Sequence, residues 1–301
     1  MKKILKNTFL LNLVISGMMF LFFILQVNVL QAQETENAGI RMFEGKNYYG
    51  AERYFQNELK KNAENDLAIF YLGRIAYENG ELDQASELFD KAIRIDPDNA
   101  DYYAWNGINY IQLLSQVDFM KQAIYAPKAQ KSLEKAVELD PGHIEARIWL
   151  AGYYANAPSF AGGSPEKAKD QFEKIFAIDP DNKGALLNQG IILTSFQEYD
   201  EALAAFEKIL ELQEDYYPAY FHIGRLSKES GKFYDQGELS LIKFIDHAEG
   251  EFQDSKDEAW WLLGEIYLQQ QRNNEARQAY EKALSLDPEN EDYRKSLKNI
   301  L

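Results

Sequence analysis

The residues able to do chemistry in this chain are few and dispersed. Three histidines, His143, His222 and His247, fall on a turn, within a helix and at a helix end, and none has a second histidine four residues on. A zinc pair on one helix face needs that spacing. Gly231-Lys232 has the ending of a phosphate-binding loop, but six residues separate Gly224 from Gly231 instead of four, and a helix precedes it where a strand is required. Asp96-x-Asp98 is not a calcium loop, because Ala100 stands at the next ligand position and no glycine follows in place. There is no cysteine, which excludes disulfides, thiolate metal sites and a cysteine nucleophile. The 48 acidic residues read as a solvated face. The sequence therefore points to no enzyme, no metal and no cofactor. What remains is binding chemistry, in which Phe70, Arg74 and Tyr77 form a stripe at i, i+4, i+7.

The stretch that positions this stripe is 66–99. Ile69, Leu72, Gly73 and Ala76 fall at helical spacing; after Asn79-Gly80 the residues Ala85, Phe89 and Ala92 repeat the pattern, and Pro97 ends it. An apolar residue, Leu-Gly, a later bulky residue, Ala-x-x-x-Phe and a final proline resemble the tetratricopeptide repeat, a helix–turn–helix unit. The resemblance extends along the chain as seven repeats: 32–65, 66–99, 100–143, 144–182, 183–216, 217–256 and 257–290, with 291–301 as a capping helix. The first is degenerate (Gly39, Phe43, Ala51, Phe55), as an end repeat with one unburied face should be. Gly73, Gly107, Gly190, Gly224 and Gly264 mark the helix crossings, where a small residue is expected to meet an alanine of the opposing helix. The expected fold is all-α, a right-handed superhelical solenoid stabilised by stacking.

Two repeats are longer than the rest. In 100–143 the distance from Gly107 to Ala129 exceeds that from Gly73 to Ala85 by ten residues, placed at the turn around Val117 to Pro127. In 144–182 five extra residues occupy the same turn, containing Gly162-Gly163-Ser164-Pro165. There Ser164 is a natural N-cap and Pro165 a first helical residue; the alternative is an anion held at the helix start, although the loop contains no Lys or Arg. The run from Tyr153 to Ala168 resembles a group of exported bacterial tetratricopeptide proteins with Ala-Pro followed by Gly-Gly-Ser-x-x-Lys-Ala. Both inserts should project from one edge, made aromatic by Phe119, Tyr125 and Phe160, either binding a partner or covering the core.

The family resemblance implies that each first helix lines a concave groove for an extended peptide or helix of a protein partner. The residues placed there are Phe70, Arg74, Tyr77, Ile108, Ile148, Leu187, Ile191, Phe221, Arg225, Lys228 and Trp261. The alternative for the aliphatic ones is packing between repeats. Arg74, Arg225 and Lys228 are expected to add partner affinity without supporting the fold. Some relatives clamp a C-terminal carboxylate with Lys, Asn and Arg; here 100–216 offers mostly aliphatics instead. The sequence carries no signal for an oligomeric state.

Met1 to Gln33 begins with Lys2, Lys3 and Lys6, continues with an apolar run from Leu13 to Leu25, and ends in a polar stretch with Ala32 as a cleavage residue. This is the layout of a signal peptide, with an uncleaved membrane anchor as the alternative. Either way the lysines favour a cytoplasmic N-terminus, so the repeats are expected outside the cytoplasm, in the periplasm or secreted. The net charge is −16, and −19 without the three leader lysines. A surface this acidic repels nucleic-acid phosphate. The expected function is a protein-binding scaffold of the cell envelope, with a ligand-binding accessory subunit of an uptake system as the alternative.

Overall fold

The computed structural model describes residues 38–247, 250 and 255–300, the side chain of Phe119 excepted. The leader at 1–33 lies outside the described residues. Among these residues all regular structure is helical, and no helix is long and apolar enough to cross a membrane. The chain divides into two compact units between Leu139 and Asp140. The first contains α1 (residues 38–44), α2 (Tyr48–Lys61), α3 (Asp66–Glu78), α4 (Leu82–Ile95), α5 (Ala100–Leu114) and α6 (Phe119–Leu139). The second contains α7 (Ile144–Asn156), a 3-10 turn (Ser159–Ala161), α8 (Pro165–Ile178), α9 (Lys183–Ser195), α10 (Tyr199–Leu212), α11 (Tyr217–Ser230), α12 (Tyr234–His247), α13 (Lys256–Gln269), α14 (Asn273–Leu286) and α15 (Glu291–Ile300).

Several helices start at a side chain that satisfies a free backbone N–H group. Asn47, Asn65, Asn99 and Asn182 accept from the N–H of Gly50, Ala68, Asp101 and Ala185. Between paired helices the chain reverses through a left-handed residue: Lys46, Gly80, Gln197, Gly231 and Gln271 all have positive φ. Helices α3 and α4, α5 and α6, α9 and α10, α11 and α12, and α13 and α14 pack as pairs. The apolar faces that make this obligatory are fully hidden: Ala85, Phe89 and Ala92 on α4, Ala129, Leu133 and Ala136 on α6, Ala276, Tyr280 and Ala283 on α14.

The crossing glycines do remove a side chain where helices meet, but the opposing group is not the expected alanine. A Cβ on Gly73 would lie 2.8 Å from Phe89 Cε1, one on Gly107 2.6 Å from Leu133 Cγ, and one on Gly264 2.5 Å from Tyr280 Cε1. Gly190 meets Phe206 and Gly224 meets Leu241 in the same way. The glycine thus accommodates the bulky residue one helical turn beyond the alanine, or beyond Gly237 in the case of Leu241. In α15 Leu297 and Ile300 pack against the last core cluster, and the buried Tyr293 stacks on Trp261.

The ten-residue insert also corrects the sequence reading. It is not a turn around Val117 to Pro127; α6 already begins at Phe119 and carries Pro127 inside it. The segment is rich in good helix formers, which carry the helix through Pro127 although its ring crowds the carbonyl of Ala123 and has no N–H to donate to it. The Gln122 amide fixes the helix start by donating to the carbonyls of Leu114 (3.1 Å) and Val117 (3.3 Å).

Candidate functional site

In the first unit, the predicted stripe on α3 converges on one guanidinium. The Arg74 guanidinium carbon sits 3.5 Å from the Trp105 ring centroid, 4.7 Å from Phe43 and 5.9 Å from Phe70. Tyr77 meets Trp105 edge-on with centroids 5.6 Å apart. A guanidinium over aromatic faces is held by the negative π-clouds, so Arg74 ties α1, α3 and α5 together. Phe70 is not a groove residue: it is buried in the core, 4.8 Å from the ring of Tyr102 and 5.9 Å from Phe89. Ile108 is likewise core, at 1% exposure. Both sit where two neighbouring helices cover α3 or α5, so the second stripe is partly consumed by packing between repeats.

In the second unit, α9, α11 and α13 lie side by side. Ile191 is exposed, whereas Leu187 and Ile148 are half-buried against core clusters. Phe221 is buried, its ring 5.2 Å from Phe244. Arg225 lies over Phe221 and pairs with Glu258 on α13 at 2.5 Å. That pair is well exposed to water, which limits its worth to about 1 kcal/mol. Lys228 Nζ is 5.3 Å from the Trp261 ring, and Trp261 stacks on Tyr293 while its Nε1–H donates to Ser296 Oγ at 3.1 Å. Lys228, Trp261 and Arg225 therefore form a half-exposed cation–aromatic face supported by α15.

The insert edges lie in different units. Tyr125 stacks on Tyr110 with centroids 5.7 Å apart, and Lys128 sits over both rings. Phe160 is 84% exposed. The side chain of Phe119 lies outside the described residues. At the Gly-Gly-Ser-Pro turn, a Cβ on Gly163 would collide with the Ala157 carbonyl, Gly162 takes a φ of 92°, and Ser164 Oγ accepts from the Lys167 N–H at 3.2 Å. Ser164 also donates to Glu166 at 2.7 Å, which holds that carboxyl below its usual range, so the chain's own carboxylate occupies the helix start. Capping accounts for this motif.

The histidines make separate structural contacts. His143 Nδ1 accepts from the Ala146 N–H, His247 meets the Lys243 carbonyl, and His222 stacks on Phe206 with centroids 5.7 Å apart. Burial, with a smaller contribution from the Arg225 charge, pushes His222 down to about 4, so it is neutral at pH 7. Among the described residues no group of three or more His, Asp or Glu is placed to hold a metal ion. A crevice of about 530 Å³ runs along α13 and α14, with Trp260, Tyr267, Gln278 and Lys282 in its walls.

Two features lay outside the sequence reading. Trp105 falls one position along from the stripe, at the place in its repeat that Tyr71 holds in 66–99. Arg272 forms an ion pair with Glu238 at 2.6 Å and lies over Tyr267, whose hydroxyl donates to Glu238 at 3.0 Å. The Trp105–Arg74 and Arg272–Glu238 contacts have no local sequence signal, because each joins residues more than 25 positions apart.

Family models for the tetratricopeptide repeat match residues 42–104, 184–216 and 257–290. A model described as the TRAP transporter T-component matches residues 77–192. Among curated proteins, a TPR repeat-containing protein of Methanocaldococcus jannaschii is 25% identical over 54% of this chain and 28% of its own length. Tetratricopeptide repeat protein 6 of Homo sapiens is 28% identical over 70% of this chain and 37% of its own. The chain thus spans about a third of the length of these curated relatives. A crystal structure of a tetratricopeptide repeat protein from Parabacteroides merdae has a TM-score of 0.63 at 19% identity, covering 89% of this chain and 98% of that one. This likeness shows the shared fold. The chain is an all-α protein built with tetratricopeptide repeats.

Proposed function

We propose that the chain is a non-catalytic scaffold that holds a segment of another protein against the first-helix faces of its repeats. The observation supporting this most directly is the half-exposed set Arg225, Lys228 and Trp261 on adjoining helices, with Ile191 exposed on the same row of helices. Aromatic rings beside cations suit a partner segment offering apolar side chains and carboxylates, since hot spots favour Trp and Arg. The signal-peptide layout of residues 1–33 supports a place for this activity on the far side of the cytoplasmic membrane, in a periplasmic, secreted or membrane-anchored protein. A photo-reactive amino acid at Ile191, followed by mass spectrometry on the intact cell envelope, tests the reading. One partner polypeptide should dominate the cross-links, and it should be lost when Lys228 and Trp261 are replaced. Absence of any cross-linked polypeptide would overturn it.

The T-component match over 77–192 and the crevice along α13 and α14 favour a second reading, a ligand-binding accessory subunit of an uptake system. Trp260 and Tyr267 would then contact a small solute. Quenching or a shift of tryptophan fluorescence on adding small organic acids, lost in Trp260→Phe, would support it; an unchanged spectrum across such solutes would not.

A further inference from the structure

The start of α6 carries apolar residues on the side facing away from the core. Ala129, Leu133 and Ala136 define its buried stripe, and Tyr125 extends that stripe toward Tyr110. Met120 and Ile124 lie about half a turn away from it, at 80% and 57% exposure, and Ala123 and Pro127 are exposed too. A water-facing ridge of a soluble helix is normally polar. The ridge is also held in place, because Gln122 pins the helix start and the Tyr110–Tyr125 stack anchors the inner side.

The charges around this ridge are unusual for the chain. From 119 to 133 there is no Asp or Glu, while Lys121, Lys128 and Lys131 are exposed; Asp118 precedes the stretch and Glu134 follows it. The protein as a whole carries −16. An apolar ridge flanked by lysines is the pattern of a helix lying in a membrane interface, with each lysine drawn to anionic headgroups. Repulsion from the acidic remainder is screened beyond about 8–10 Å. A narrow ridge on one helix offers little of the roughly 800 Å² per partner that a stable protein interface buries. A bilayer surface has no such requirement.

We propose that the first turns of α6 rest on an anionic membrane surface, with Met120 and Ile124 inserted among the acyl chains and Lys121, Lys128 and Lys131 at the headgroups. This goes beyond the groove reading and is independent of it, since α6 carries none of the groove residues. The absence of cysteine allows one reporter: an environment-sensitive fluorophore on Ala123→Cys in the full chain. Vesicles of phosphatidylglycerol and phosphatidylcholine should blue-shift and brighten it, and phosphatidylcholine alone should do so weakly. Lys121→Glu with Lys131→Glu should weaken the response roughly tenfold or more, and Met120→Ser with Ile124→Ser should abolish it, while the melting curve stays unchanged. A label on Leu239→Cys, exposed in the other unit, controls for attachment through the leader and should not respond. No shift with anionic vesicles, an equal shift at Leu239→Cys, or a concentration-dependent shift without vesicles would overturn the proposal, the last by showing contact between copies of the chain.

Discussion

The Arg74 guanidinium lies over the indole of Trp105 at 3.5 Å from the ring centroid, bridging two repeats through one cation. A residue placed by sequence in a partner-binding groove thus also supports the fold. Desolvated cation–π contacts contribute up to about 2 kcal/mol. Arg74→Ala is expected to destabilise the first unit by about 1–2 kcal/mol, and a double-mutant cycle with Trp105→Ala should return a coupling of about 1 kcal/mol. Urea unfolding followed by fluorescence measures both. Zero coupling would mean the two side chains are only neighbours.

Glycines in this chain divide by what faces them. Gly264 has the Tyr280 ring where a methyl would go, whereas Gly152 in α7 has nothing within 4 Å. Gly264→Ala should therefore cost about 1–3 kcal/mol through overpacking. Gly152→Ala should be neutral or stabilise by up to about 1 kcal/mol, the difference in helix propensity. Thermal melts of the pair check the contrast, and the same sign for both would contradict it.

Deleting Val117–Tyr125 removes the first turns of α6 and the ring stacked on Tyr110. The buried stripe from Ala129 onward is untouched. The variant should keep its folded helical core and lose about 0.5–1.5 kcal/mol, the worth of an aromatic pair. Loss of the cooperative transition in circular dichroism would show that the insert is part of the core.

His222 makes stability depend on pH. Its ordinary value near 6.5 falls to about 4 in the folded chain, because burial disfavours the imidazolium. Above pH 6.5 both states are neutral at this position and its contribution is complete. As pH falls from 6.5 toward 4, the unfolded chain takes up a proton that the folded chain does not, so stability declines by a few kcal/mol at most. His222→Phe should flatten that part of the stability profile. An identical profile in variant and parent would assign the decline to other groups.

The helix pairs were readable because each needs only local information: Ala85 and Phe89 one turn apart, Asn65 before an apolar run, Pro97 after it. The site was less readable because exposure depends on neighbours far along the chain. Phe70 and Phe221 share the spacing of groove residues, yet the rings of Tyr102 and Phe244 meet them inside the core. The 117–127 insert reads as a turn because its ten extra residues fall between the two helices of a repeat, but Ala, Gln, Lys and Met around Pro127 sustain a helix. Trp105 carries no signal in the sequence, since only the packing of α5 beside α3 brings it to Arg74.

The central claim is that the cation–aromatic face of α11 and α13 holds a protein partner. Quantitative affinity capture from the solubilised envelope, comparing the parent chain with Lys228→Glu/Trp261→Ala, tests it most directly. The account predicts recovery of one partner reduced roughly tenfold or more, as loss of a hot-spot aromatic implies, with the first unit's stability unchanged. Equal recovery of the same partner by both chains would contradict it.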